Sequence, residues 1–112
     1  MNNENLRGDM SKEEKKTMVF HAVPYIPARF ATRWASFPEE FKLVAKVETD
    51  SLDEAFRLTN TGEQLWWLGD KVTPYVSSCR STSVGDVIVL PNGKSYRVLD
   101  RGFVEIFGSR RG

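Results

Sequence analysis

The stretch Val87-Ile88-Val89-Leu90-Pro91-Asn92-Gly93-Lys94-Ser95-Tyr96-Arg97-Val98 limits the fold of this chain more than any other. Its first four residues are apolar and rich in β-branched side chains, which fit a pleated surface. Pro91 presets φ, while Asn92 and Gly93 tolerate positive φ, so a tight turn follows. Tyr96 and Val98 then alternate with Lys94, Ser95 and Arg97, the period of a half-buried strand. A β-hairpin is expected. Asp100-Arg101-Gly102 predicts a second turn, with residues 103–107 as a third strand. The three form an antiparallel meander, about the smallest such unit with a face to bury. Ahead of it, Gly85-Asp86 predicts a turn into the first strand. Ser81, Thr82 and Ser83 can bond nearby backbone there. Arg80 and Asp86 are expected to pair and fix that turn.

The rest of the 112 residues must complete this sheet within one domain. Residues 1–16 are polar and predict a disordered arm, because they carry too little apolar surface to offset the entropy of ordering. Thr17 to Val23 reads as a strand with apolar groups on both faces, hence internal to a sheet. Phe41, Leu43, Ala45 and Val47 alternate with Lys42, Val44 and Lys46, which predicts a second strand with one apolar face. Ser51 followed by Glu54 fits a capping box, and Leu52, Ala55, Phe56 and Thr59 give a helical stripe for packing on the sheet. Asn60-Thr61-Gly62 ends that helix. Asp70 to Ser78 is expected to be loop, with a short extended piece before Pro74. The fold class is therefore α+β. The expected core is a mainly antiparallel sheet of about five strands, with a C-terminal β-meander and one main packed helix. The domain spans 17–108, followed by a basic tail at 109–112.

Two stretches are rich in aromatics. Pro24 to Pro38 is a proline-bounded loop holding Tyr25, Phe30, Trp34 and Phe37 beside Arg29 and Arg33. Two helical turns over 28–36 would set Arg29 and Arg33 on one face, with Phe30 and Trp34 as the adjacent stripe. The second is Glu63 to Leu68, with Trp66 and Trp67. One of these two rings is expected in the core and the other partly exposed. Trp, Tyr and Arg dominate protein interface anchors. Arg29, Arg33, Trp34, Trp66, Trp67 and Arg80 are accordingly the candidate partner-binding residues.

Catalytic and metal chemistry find little support. A single cysteine, Cys79, excludes an internal disulfide framework and fits a reducing compartment. A single histidine, His21, is more simply a packed or hydrogen-bonded strand residue than a ligand, and zinc sites need several N or S donors. Cys79, His21, Asp86 and Tyr96 could meet in space, but no spacing links them. No cofactor and no metal is expected. The net charge of +1 gives no global pull toward nucleic acid. Charge is uneven, however, with seven basic and three acidic side chains in residues 71–112. Lys94, Arg97, Arg101, Arg110 and Arg111 form the alternative, nucleic-acid-binding set. No apolar run approaches the roughly 18 residues of a membrane span. No signal-peptide core opens the chain, so a cytoplasmic location is expected.

Two blocks of the chain resemble the YodL-like small proteins and domains of bacteriophages, plasmids and conjugative elements. The first block carries Leu52, Ala55 and Phe56. The second carries Arg80, Ser81, Ser83, Val84, Gly85, Asp86, Val87 and Ile88, then Tyr96, Val98, Gly102 and Phe103. The resemblance covers about half the chain. It implies a mobile-element origin and a suspected counter-defence or establishment role, with no catalytic residues to carry over. The functional expectation is a non-enzymatic protein that binds and occludes a host protein, in the manner of an anti-restriction or anti-CRISPR factor. The alternative is a nucleic-acid-binding accessory protein using the basic C-terminal surface.

Overall fold

The computed structural model describes residues 16–27, 30, 33–60, 65–77 and 80–106. Arg29, Cys79, Phe107, Arg110, Arg111, most of the N-terminal arm and the tail lie outside the described residues. The described elements are β1 (Lys16–Ala22), β2 (Phe41–Glu48), α1 (Leu52–Thr59), a 3-10 turn (Trp66–Leu68), β3 (Val72–Pro74), β4 (Val87–Val89), β5 (Ser95–Val98) and β6 (Phe103–Ile106). The six strands form one antiparallel sheet in the order β3-β2-β1-β4-β5-β6. The fold is α+β with one main helix. The sixth strand is β3, the extended piece before Pro74.

β1 lies at the centre of the sheet, between β2 and β4, which accounts for its apolar groups on both faces. Thr17, Val19 and His21 are buried on one face, toward α1 and the 3-10 turn. Phe20 points to the other, where its ring meets Phe37 edge-on at 5.0 Å, and Phe37 meets Phe41 at 5.3 Å. The loop between β1 and β2 covers this second face.

β2 departs from the alternation its sequence suggests. Val19 pairs with Ala45, but Phe20 pairs with Leu43, so Val44 is an extra residue on β2. Such a bulge shifts the side-chain phase by one residue. Val44, Ala45 and Val47 all join the helix-side core with Val19, Trp66 and Val72. Phe41 and Leu43 are switched to the opposite face, paired with Ala22 and Phe20. The expected single apolar face is thus split, and its aromatic end is given to the loop side.

α1 packs as its stripe predicts. Ala55 meets Ile88 and Val98, with Leu52, Phe56 and Phe103 around them. The Ser51 side chain accepts from Glu54 N at 3.2 Å, one half of a capping box. The other half is relayed: Ser51 N donates to Thr49 Oγ1, and Thr49 Oγ1 donates to Glu54 Oε1 at 2.6 Å. Glu54 also pairs with Lys71 at 2.8 Å. These partners hold its carboxyl below the usual range, Lys71 first and Thr49 second.

Candidate functional site

The turn ahead of β4 is built on one carboxylate. Asp86 is 1% exposed. Its Oδ1 accepts from Ala22 N (3.0 Å) and Arg80 Nη2 (2.9 Å). Its Oδ2 accepts from Arg80 Nη1 (2.6 Å) and Ser83 N (2.8 Å). The expected Arg80–Asp86 pair therefore exists and reaches further than its own turn. It ties the end of β1 to the start of β4 through a bidentate, charge-assisted contact.

A chain of side chains continues from this pair into the core. Thr59 Oγ1 donates to Ala55 O at 2.8 Å, which uses its one proton. Thr82 Oγ1 donates to Thr59 Oγ1 at 2.8 Å, which uses its own. The contact between His21 Nε2 and Thr82 Oγ1, at 2.9 Å, then requires the ring nitrogen to donate. His21 therefore carries a proton on Nε2. Burial pushes its pKa down to about 4; Asp86, 3.9 Å from the same nitrogen, opposes that shift, and Arg80 adds to it. His21 is thus a packed, hydrogen-bonded strand residue. Thr82 is fully buried, and its proton is committed to Thr59, so this cluster offers no accessible nucleophile. What it does is fasten α1, β1 and the β4 turn to one another.

Above this tie lies a cleft of about 310 Å³. Its walls are the β1–β2 loop, with Tyr25, Ile26, Phe30 and Trp34, and the turn residues 84–86. These four apolar side chains are between 43% and 64% exposed. Of the helical turns expected over 28–36, residues 28, 29, 31 and 32 lie outside the described residues and Phe30 stands in a 3-10 turn, while a clasp holds the second half of the loop. Arg33 sits in a bend and residues 34–36 are irregular. Arg33 donates to both carboxylate oxygens of Glu40, at 3.0 and 2.9 Å, and Glu40 also accepts from Ser36 N at 2.8 Å. Arg33 and Ser36 N–H hold the Glu40 carboxyl down to about 2. Glu40 draws the backbone of Ser36 toward itself, which a continuing helix would not allow.

Among the described residues, two arginines beside the cleft are paired with carboxylates. Arg33 is paired with Glu40. Arg80 is paired with Asp86, and its guanidinium lies over the Tyr25 ring at 4.1 Å. Beneath Trp34 stands Arg97, buried, with its guanidinium 5.0 Å from the indole and donating to Ala35 O at 3.1 Å. Burial lowers its pKa from the ordinary value. Gly85, with φ +100°, brings the turn against Trp34: a Cβ there would lie 3.5 Å from the indole.

Of the candidate binding residues, the structure thus brings Arg33, Trp34 and Arg80 to one place. Trp34 is exposed there, Arg33 lines the cleft, and Arg80 stacks on Tyr25. Trp66 stands elsewhere and is core: its ring is buried and its Nε1 donates to Arg80 O at 3.1 Å. Trp67 is half-buried and packs edge-on against Trp66 at 5.6 Å. Among the described residues of that segment, the exposed apolar groups are Leu65 and Leu68. A tryptophan so buried cannot present its ring to a partner. In the alternative set, Arg97 is likewise buried. Lys94 and Arg101 are exposed and flank opposite ends of β5, and Arg110 and Arg111 lie outside the described residues.

Tyr25, Ile26 and Phe30 belong to the site but were not among the candidates. For Tyr25 and Ile26 the signal is Pro24-Tyr25-Ile26-Pro27: two prolines bar these two residues from an inner strand, so their side chains have no ladder to join. Among the described residues no helix is long and apolar enough to cross a membrane. No family model, curated protein or solved structure matches the chain.

Proposed function

We propose that this chain is a non-catalytic binding protein that seats a bulky apolar side chain of a protein partner in the cleft of Tyr25, Ile26, Phe30 and Trp34. One observation carries the reading: four large apolar groups converge, exposed, on a concave site beside which Arg33 and Arg80 are each paired with a carboxylate. Contiguous exposed apolar surface of this kind marks interaction sites. The pairing of Arg33 and Arg80 suits an uncharged anchor.

The setting follows from the resemblance to YodL-like proteins of mobile elements. The partner would be a bacterial host protein that the chain occludes, in a counter-defence role of the anti-restriction or anti-CRISPR kind. The basic-surface reading has less to draw on, since Arg97 is buried and Lys94 and Arg101 are apart.

The test is capture of partners from a bacterial lysate by wild type and by Trp34→Ala, each with and without nuclease. A stoichiometric, nuclease-resistant protein held by wild type and lost by Trp34→Ala is expected. The loss should be at least about tenfold in affinity, as for an interface hot spot. Partners that vanish with nuclease, or that bind Trp34→Ala equally well, would overturn the proposal.

A further inference from the structure

The two edges of the sheet are treated differently. On β3 the ladder bonds toward β2 use Lys71, Thr73 and Tyr75, as fixed by Glu48 N to Lys71 O and Tyr75 N to Val44 O. Val72 and Pro74 therefore face outward. Pro74 has no N–H, and Val72 N–H is spent on Gly69 O at 3.1 Å. The β3 edge offers no outward donor, which is how natural sheets guard an edge.

The β6 edge has no such guard. Leu99 N donates to Gly102 O at 3.0 Å, which sets the phase of the β5–β6 ladder. Val104 and Ile106 then bond toward β5, and Phe103 and Glu105 point their N–H and C=O groups outward. Among the described residues nothing bonds these groups. The strand has no proline, lysine or bulge.

The open groups have a particular symmetry. They lie on residues 103 and 105, equidistant from Val104. An antiparallel strand that satisfies them must also present its own groups two residues apart, and β6 itself does so. We propose that β6 pairs with β6 of a second copy of this chain, antiparallel and centred on Val104. Phe103 then exchanges two backbone bonds with the partner's Glu105, and Glu105 two with the partner's Phe103. Val104 faces the partner's Val104 in a non-hydrogen-bonded pair, where side chains approach most closely. Val104 is 46% exposed, and its own β5 neighbour is Arg97. No like charges meet, because each Glu105 lies opposite a phenylalanine. The interface is isologous, as closed dimers require. Four backbone bonds and one valine pair bury little surface, so the dimer is a weak, exchanging one.

Sedimentation velocity over a dilution series of the full chain tests this. The expected result is a weight-average sedimentation coefficient that rises with concentration toward that of a dimer. Glu105→Pro removes an outward N–H and no β5 bond, so it should keep the circular dichroism of wild type and weaken association at least tenfold. In a Cys79→Ser background, Val104→Cys should form a disulfide-linked dimer on mild oxidation, and Thr73→Cys on the guarded edge should not. A monomer up to about millimolar concentration would overturn the proposal. So would undiminished association of folded Glu105→Pro, or equal crosslinking at position 73.

Discussion

Replacing Asp86 by asparagine tests the tie beneath the cleft most directly. Each carboxylate oxygen accepts one backbone N–H and one guanidinium N–H: Ala22 and Nη2 at Oδ1, Ser83 and Nη1 at Oδ2. The asparagine amide cannot be oriented to avoid a conflict. Either orientation sets its NH₂ against one backbone donor and one arginine donor. A buried donor left unsatisfied costs about 1–3 kcal/mol. Losing the buried charge partner of Arg80 adds to that, within the roughly 3–5 kcal/mol seen when such pairs are broken. Arg80 is partly exposed, so water can serve its guanidinium, and the lower end, about 3 kcal/mol, applies. With an m-value of about 1.5 kcal/mol/M, the urea midpoint should fall by roughly 2 M. A double-mutant cycle with Arg80→Gln should return a coupling of at least about 2 kcal/mol, since both changes break one interaction. A midpoint shift below about 0.5 M, or strict additivity of the two substitutions, would refute the assignment of Asp86 as the tie.

Other outcomes follow from the same residues. His21 has a folded pKa of about 4 against an ordinary 6.5, so the unfolded chain binds the proton more readily between those values. Its contribution is complete above about pH 6.5 and is lost as pH falls toward 4, about 3 kcal/mol in all. His21→Gln should flatten that part of the stability–pH curve; parallel curves for the two proteins would sink the idea. Thr82→Val removes the acceptor of His21 Nε2–H and the donor to Thr59, and should cost about 2 kcal/mol. Thr82→Ser should recover most of it in thermal melts, and no recovery would mean that packing, not the hydroxyl, matters. Gly85→Ala meets Trp34 only at ordinary contact distance, so its penalty comes from the positive φ, roughly 1–2 kcal/mol. Chemical denaturation that finds no penalty would contradict the turn geometry.

The local elements were legible because they depend on near neighbours in sequence. Leu90 to Lys94 encloses its own turn, and Leu90 N bonds to Lys94 O at 3.0 Å. The stripe of Leu52, Ala55, Phe56 and Thr59 needs only the helical period to be read. The Arg80–Asp86 pair is six residues apart and also came from the sequence. Its wider role did not, because His21 and Ala22 reach it from about sixty residues away.

Composition and periodicity alone determined that this chain makes an α+β sheet domain with a C-terminal meander and one capped helix. Tertiary structure decided which of its aromatics are surface and which are core. Trp66 and Trp34 are equally apolar in sequence, but Trp66 is enclosed between β2, β3 and His21, whereas Trp34 lies on a loop against Gly85 and Arg97 and stays half exposed. The bulge at Val44 is a second case. One extra residue, set by how β1 and β2 pair, sent Phe41 to the loop side against a clean alternation. Burial is a property of what a residue packs against. When those neighbours lie on distant segments, only the assembled fold supplies them.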